Sequence, residues 1–333
     1  MPLTLKDDIT PHTYFYISII MIKTAITGGT SPEAGEIIRI LVNHPDVEIR
    51  EILSDTRQGL PVQDVHYGLI GEIGIRFSDR LHPEDLDAIF ICTTEDSEAK
   101  TGHEASVDAL LKNPDSYPEL RIIDLTRSPQ SLNNNFLFGL SEIYRKPLVR
   151  GARRAYLPYP EESASLIALF PLARRLLLTG DIEITLLAPP GRIDPSRLET
   201  TAAGVTSHLR GVQMSYNGNV RFTLKEDDTA EALRIKISMP VALDYPHILE
   251  AYEEAYDDHN FTFITRRPAS DYEVTGTNKC IISLQKQADD NLEIDAVIDG
   301  AMRGGACEAV HIFNLLFGLH ERTGLALKAN GPR

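Results

Sequence analysis

Apolar residues fall in short continuous runs through the first half of the chain. Residues 22–27, 47–54, 86–93 and 120–125 each read as a strand, the first short and buried and the third buried on both faces by its continuous apolar character. Between them, residues 32–42 and 105–111 carry helical spacing. Ser31 is placed to cap the first of these helices, Pro32 suits its first position, and acidic side chains occupy its first turn. This alternation predicts a parallel sheet with helices on both faces.

Beyond about residue 160 the pattern changes. Residues 163–178 predict one apolar helix that crosses Pro171 or kinks there. Short strands follow at 181–187, 219–224, 234–239, 261–264, 279–285 and 292–298, with a helix at 247–256. The last two strands read as a hairpin turning at Asp289-Asp290-Asn291. Mixed strands with few crossover helices predict an α+β unit, and a helix at 308–317 is expected to return to the first unit. The expected organisation is a parallel-sheet domain from 21–158 with 300–330, an α+β domain from 159–299, and an N-terminal extension, 1–20. That extension opens with Lys6-Asp7-Asp8, lacks a cleavage site of small residues, and ends where Met21 directly precedes the first strand, so it does not read as a signal peptide.

Charge narrows the partners. The 333 residues hold 48 Asp and Glu against 33 Lys and Arg, a net −15, which disfavours nucleic acid and anionic membrane. No run approaches the roughly 18–20 apolar residues of a membrane span. Cys92, Cys280 and Cys307 are scattered with no CxxC, so neither a disulfide framework nor a metal site is expected, and a cytoplasmic setting fits.

The turn Gly28-Gly29-Thr30-Ser31-Pro32 between the first strand and helix is the kind that presents backbone N–H groups and a helix dipole to a pyrophosphate, although Ser31 stands where the backbone must approach phosphate closely. The expected cofactor contacts are Gly28, Gly29, Thr30, Ser31, Ser54, Arg57 and Thr93. In Ser54-Asp55-Thr56-Arg57, Arg57 suits a 2′-phosphate, favouring NADP, and Asp55 suits a ribose hydroxyl, favouring NAD; a solvated loop accounts for the segment equally well.

Several stretches in series resemble the N-acetyl-γ-glutamyl-phosphate reductase family of the semialdehyde dehydrogenase superfamily. They are Gly35-Glu36-Ile37-Ile38-Arg39-Ile40-Leu41, His44-Pro45-Asp46-Val47-Glu48, Ile122-Ile123-Asp124-Leu125, and Phe136 through Ile143 (FLFGLSEI). Further on come Gly276-Thr277-Asn278-Lys279-Cys280, then Ile298-Asp299, Gly304, Ala309-Val310, Asn314, Phe317-Gly318 and Gly324-Leu325. The resemblance runs from about residue 22 to 328. It implies an N-terminal NADP-binding Rossmann domain, an α+β catalytic and dimerisation domain, and a homo-oligomer, dimer or tetramer. It also adds Asn314 to the cofactor contacts. The implied reaction is NADPH-dependent reduction of an acyl phosphate to a semialdehyde through a cysteine thioester, with a histidine in proton transfer.

This chain departs from that pattern at the chemistry. The family's cysteine turn aligns with Tyr156-Leu157-Pro158-Tyr159-Pro160-Glu161-Glu162-Ser163, which puts Tyr159 or Pro160 at the nucleophile. Ser163 and Ser165 lie inside the helix with no evident base, and Glu161-Glu162 would repel an acyl phosphate. The histidine segment aligns with residues 219–226, which contain none; His208 and His247 are nearest and read as structural. Cys307, before the last helix, is the remaining candidate nucleophile, its thiol expected to be acidified by the helix dipole; a small residue in a tight turn is the commoner reading. Arg145, Lys146, Arg150, Arg153 and Arg154 read as a solvated basic run or as an anion site near the mouth of the cleft. The expected function is a reductase-like protein of arginine biosynthesis that takes a small-molecule ligand. The alternatives are a catalytically inactive paralogue that binds nucleotide or a partner, and an oxidoreductase or lyase with new chemistry.

Overall fold

The computed structural model describes residues 21–93, 102–287 and 291–329. The N-terminal extension and the turn at 289–290 lie outside the described residues. Two six-stranded sheets organise the chain. The first holds β1 (Ile22–Thr27), β2 (Val47–Ile52), β3 (Ala88–Ile91), β4 (Arg121–Asp124), β5 (Leu137–Phe138) and β6 (Arg154–Tyr156), in the order β2-β1-β3-β4-β6-β5 with every pair parallel.

The continuous apolar runs are explained by cover on both faces. Ile26, Phe90 and Ile123 face α1 (Pro32–Leu41) and the last helix, α8 (Cys307–Phe317). Their neighbours Ala25, Ile89 and Ile122 face α2 (Gly102–Lys112). Each fully buried aliphatic or aromatic side chain there contributes roughly 1.5–3 kcal/mol. Two short helices, α3 (Pro129–Asn133) and α4 (Ser141–Val149), connect the later strands. The return of α8, expected from the sequence, is observed: it packs on β4, α1 and α4.

The second sheet holds β7 (Ile182–Ala188), β8 (Val220–Glu226), β9 (Leu233–Pro240), β10 (Thr262–Thr265), β11 (Cys280–Lys286) and β12 (Asn291–Ile298), ordered β10-β11-β12-β9-β7-β8. It is mixed: β10 with β11 and β7 with β8 are parallel, and the rest antiparallel, including the expected β11–β12 pair. Helices α5 (Pro160–Arg174), α6 (Leu198–Val212) and α7 (Tyr245–Tyr256) pack together, with α5 against β9 and β12.

The apolar helix begins at Pro160, three residues earlier than its pattern suggests, and ends at Arg174 despite Pro171. It is buried from Glu161 through Ala173, as a helix apolar on all sides must be. The 15-residue α6 is absent from the sequence expectation. Its two glycines and four Ser/Thr hide the buried stripe Thr201, Ala202, Val205, Thr206 and Leu209.

Candidate functional site at the carboxyl edge of the parallel sheet

The β1–α1 turn is built by close approach. Gly28 sits at φ +59, and a Cβ there would stand 2.6 Å from the Thr93 carbonyl oxygen and 2.7 Å from that of Cys92. Gly29 is pressed against Ile52 and Leu53, and its amide donates to the Leu53 carbonyl at 2.8 Å. Ser31 caps α1: its Oγ accepts from the Ala34 amide at 3.2 Å. The cap expected from the sequence is thus present, at the position where a dinucleotide turn more often carries glycine. His66 closes the turn from behind, its Nε2 2.7 Å from the Gly29 carbonyl and its ring against Gly35, where a Cβ would lie 2.5 Å from Nδ1.

The loop after β2 leaves Arg57 exposed and commits Asp55 to α2. Ser54 Oγ accepts from the Arg57 amide at 3.2 Å, and Arg57 projects into solvent. Asp55 turns to α2: its Oδ1 accepts from the His103 amide at 3.0 Å and lies 2.6 Å from His103 Nδ1. The His103 side chain is buried, and its Nε2 has no partner. His103 also lines a cavity of about 210 Å³ at the carboxyl ends of β1, β3 and β4, together with Thr27, Cys92, Thr93, Thr126 and Ser128. Asp124 shapes its far wall, accepting at Oδ1 from the amide and hydroxyl of Thr126 and at Oδ2 from the amide and hydroxyl of Ser128. Neither His103 nor His66 was singled out from sequence; both act through contacts to distant loops.

Tyr159 caps α5 and is held by two cations. The Arg127 guanidinium lies 4.3 Å from its ring centroid and that of Arg197 lies 4.0 Å from it. Arg127 adopts φ +53, an uncommon backbone state for a residue with a Cβ. Behind the ring, Glu161 and Glu162 are buried and paired. Arg197 donates Nε to Glu161 at 3.0 Å and Nη2 at 3.4 Å, and Arg127 Nη1 bonds Glu162. Burial nonetheless pushes the Glu162 carboxyl above its ordinary range, the nearby Arg127 offsetting only part of that cost. The expected repulsion of an acyl phosphate by Glu161-Glu162 is therefore corrected: each is buried and matched to an arginine. Pro160 faces the approach to α8, where a Cβ on Gly304 would stand 2.5 Å from the proline Cβ.

The three thiols are buried. Burial pushes Cys92 up, reinforced by Glu33 and Asp124; burial takes Cys280 to about 12 and raises Cys307 strongly, with Asp299 adding to the effect. Cys307 opens α8, yet desolvation overrides the helix dipole expected to acidify it. Ser165 Oγ donates to the Glu161 carbonyl at 2.7 Å, and Ser163 Oγ is buried without a partner. His208 packs on Phe138, lies 3.0 Å from the Tyr144 hydroxyl, and is lowered to about 4 by burial and Arg127. His247 is exposed and pairs with the α7 cap, Asp244. Asn314 is buried in the fold's own bonds, facing His44 Nε2 at 3.0 Å and donating to the carbonyls of Glu321 and Thr323.

A buried ionic cluster joins the two units. Arg303 is fully buried between Glu142, at 2.6 Å, and Glu308, and Glu142 accepts from Thr262 at 2.7 Å. The basic run does not gather at the cleft. Arg154 pairs with Asp115 at 2.7 Å, Arg153 with Glu119 at 2.5 Å, and Arg145 with Asp258 and Glu321. Arg150, Arg153 and Arg154 line a groove at the start of β6, opposite the carboxyl edge, so a placement near the mouth is corrected.

Comparison with known proteins gives the class first. Residues 23–150 match the model for the semialdehyde dehydrogenase NAD-binding domain. The fold is that of aspartate semialdehyde dehydrogenase II from Vibrio cholerae (TM-score 0.63, 12% identity, 90% of this chain and 99% of that one). It is also that of the Candida albicans aspartate semialdehyde dehydrogenase solved with NADP (TM-score 0.61, 10% identity, 89% and 98%). Sequence then gives the family. The chain is 32% identical to the N-acetyl-gamma-glutamyl-phosphate reductase of Parabacteroides distasonis, over 92% of this chain and 99% of that protein. It is 30% identical to that of Flavobacterium johnsoniae, over 93% and 100%. The chain belongs to the N-acetyl-γ-glutamyl-phosphate reductase family. Among the described residues, no helix is long and apolar enough to cross a membrane.

Proposed function

We propose that this chain is an N-acetyl-γ-glutamyl-phosphate reductase-like protein: an NADP-dependent oxidoreductase that takes an N-acyl-glutamyl phosphate or its semialdehyde, in arginine biosynthesis, as a cytoplasmic homo-oligomer. The observation that carries the reading is the β1–α1 turn. Gly28 and Gly29 leave no room for a Cβ, and beside them the cavity offers hydroxyls and the unpartnered His103 Nε2. Those residues fit a dinucleotide. When bound, such a cofactor supplies or accepts hydride.

The chain's own residues define the rest. Gly28, Gly29 and Thr30 admit the pyrophosphate, with the dipole of α1 behind it. Arg57, exposed after β2, is free to meet a 2′-phosphate; Asp55, committed to His103, is not placed for a ribose hydroxyl, which favours NADP over NAD. Arg127 and Arg197 each spend only part of their five donors on a glutamate, so both retain N–H groups beside Tyr159 for an acyl or phosphoryl oxygen.

A second reading is favoured by a specific observation. All three thiols are buried and raised, and thioester chemistry needs an accessible thiolate. On that reading the chain binds nucleotide or a partner subunit without turnover. The experiment is the reverse reaction, N-acetylglutamate semialdehyde plus phosphate and NADP⁺, followed by NADPH absorbance before and after thiol alkylation. Turnover that survives alkylation supports the first reading, and nucleotide binding without turnover supports the second.

A further inference from the structure

We propose that the cavity beside His103 takes one uncharged ring of the dinucleotide that carries a primary N–H group, adenine or nicotinamide, and that His103 Nε2 accepts from that group and sets the specificity for it. This rests on the nucleotide-binding reading above and names what the cavity reads.

His103 is the second residue of α2, and its side chain is only 2% exposed. Asp55 Oδ1 already accepts from the His103 amide at 3.0 Å and also lies 2.6 Å from Nδ1, so Nδ1 is the donor of that pair. In the neutral ring this leaves a lone pair at Nε2, which is buried with no partner. Asp55 Oδ2 is buried without a partner as well. The pair thus holds two acceptors that lack donors, and a ligand N–H relieves the cost of burying one of them.

The rest of the cavity has the same character. Thr126 Oγ1 and Ser128 Oγ donate to Asp124, at 2.6 and 3.3 Å, which leaves them lone pairs to offer. Among the described residues no Lys or Arg lines the cavity, whereas Glu104 and Asp108 do. An anion would meet acceptors and carboxylates there, so neither the pyrophosphate nor a 2′-phosphate belongs in it. Ile91, Val107 and Leu111 supply an apolar wall for the face of a flat ring. The volume of about 210 Å³ lies below the roughly 300–1,000 Å³ of a pocket for a whole drug-sized ligand, so one ring enters and the remainder of the dinucleotide stays outside. Thr27, which lines the cavity, directly precedes Gly28, so the ring site adjoins the pyrophosphate turn. In NADPH the uncharged rings with a primary N–H group are adenine, through its amino group, and nicotinamide, through its carboxamide.

The test is titration of the full chain at about pH 8, where an ordinary imidazole is neutral, with NADPH and two analogues. One analogue carries hypoxanthine in place of adenine and the other acetylpyridine in place of nicotinamide, so each lacks one of the two primary N–H groups. One of them is expected to bind about tenfold more weakly than NADPH, and which one it is identifies the ring. His103→Phe keeps a ring of similar bulk and removes Nε2. It is expected to weaken NADPH about tenfold and to bind NADPH and that analogue alike. A second readout needs no variant: with isotope-labelled histidines, the nitrogen NMR signal of His103 Nε2 is expected to shift with NADPH and to stay in place with the discriminating analogue. Equal affinity for NADPH and both analogues overturns the proposal. So does an analogue penalty that persists undiminished in His103→Phe, or an Nε2 signal that responds equally to all three nucleotides. Absence of NADPH binding by the unmodified chain up to about millimolar concentration overturns the nucleotide reading as well, which separates the two failures.

Discussion

Pro160 and Gly304 meet without clearance: a Cβ on Gly304 would lie 2.5 Å from the proline Cβ and 2.9 Å from its Cα. Through this contact the first residue of α5 is locked to the approach to α8, which joins the start of the second unit to the helix covering the first sheet. Gly304→Ala is expected to cost about 1–3 kcal/mol of stability by overpacking. Gly300→Ala, whose Cβ would stand 3.8 Å from the same proline, is the control and is expected to change stability by less than about 0.5 kcal/mol. Urea unfolding midpoints of the two variants check this.

Placing a cysteine at the turn does not by itself create a thioester enzyme. Tyr159→Cys and Pro160→Cys, singly, are expected to leave reductase turnover no higher than in the unmodified protein. His208, half-buried on α6, is committed to Phe138 and Tyr144. Single-turnover assays with an N-acyl-glutamyl phosphate measure this, and a clear rise in either variant contradicts it.

Arg303 is drawn between the buried carboxylates of Glu142 and Glu308, with His311 Nδ1 3.7 Å from Glu308. Arg303→Ala removes the guanidinium from both and is expected to cost roughly 3–5 kcal/mol or to prevent folding. The combined change Arg303→Met, Glu142→Gln, Glu308→Gln is expected to recover most of that loss. Denaturant titration of the single and triple variants provides the comparison.

Stability is expected to fall on acidification in two stages. Burial and Arg127 lower His208 from 6.5 to about 4, so the fold holds the neutral ring. Its contribution is present above 6.5 and lost as pH falls from there toward about 4. Glu142 is held at about 2 against the cost of burial, chiefly by Arg303, and Glu321 likewise at about 2 by His311 and Arg145. Their contribution is present above 4.5 and lost as pH falls through that value toward about 2. Melting temperatures across this range should show both losses, and His208→Gln should remove only the upper one.

The local parts of this arrangement were legible in the sequence and the long-range parts were not. Strand β1, the glycine turn and the α1 start follow from Ile22–Thr27, Gly28-Gly29 and Ser31-Pro32, because cap and turn chemistry act within a few residues. The parallel sheet follows from alternation, and the return of α8 from its apolar run. Helix α6 stayed hidden because its core stripe is built of Ala, Thr and Val, with tertiary burial overriding weak propensity. Asp55 with His103, Glu161 with Arg197 and Glu162 with Arg127 are separated by 48, 36 and 35 residues. Such pairs exist only because the fold brings distant segments of the chain together. The lone carboxylates and imidazole in apolar helices, Glu161, Glu162, Glu308 and His311, were the signal that partners must exist, without saying which.

The most direct test of the account is a fluorescence titration of the purified chain with NADPH and, separately, NADH. The account predicts saturable micromolar binding, tighter for NADPH because Arg57 is open to a 2′-phosphate while Asp55 is committed to His103. Absence of binding for both nucleotides up to about millimolar concentration, a standard free energy weaker than about −4 kcal/mol, would contradict it.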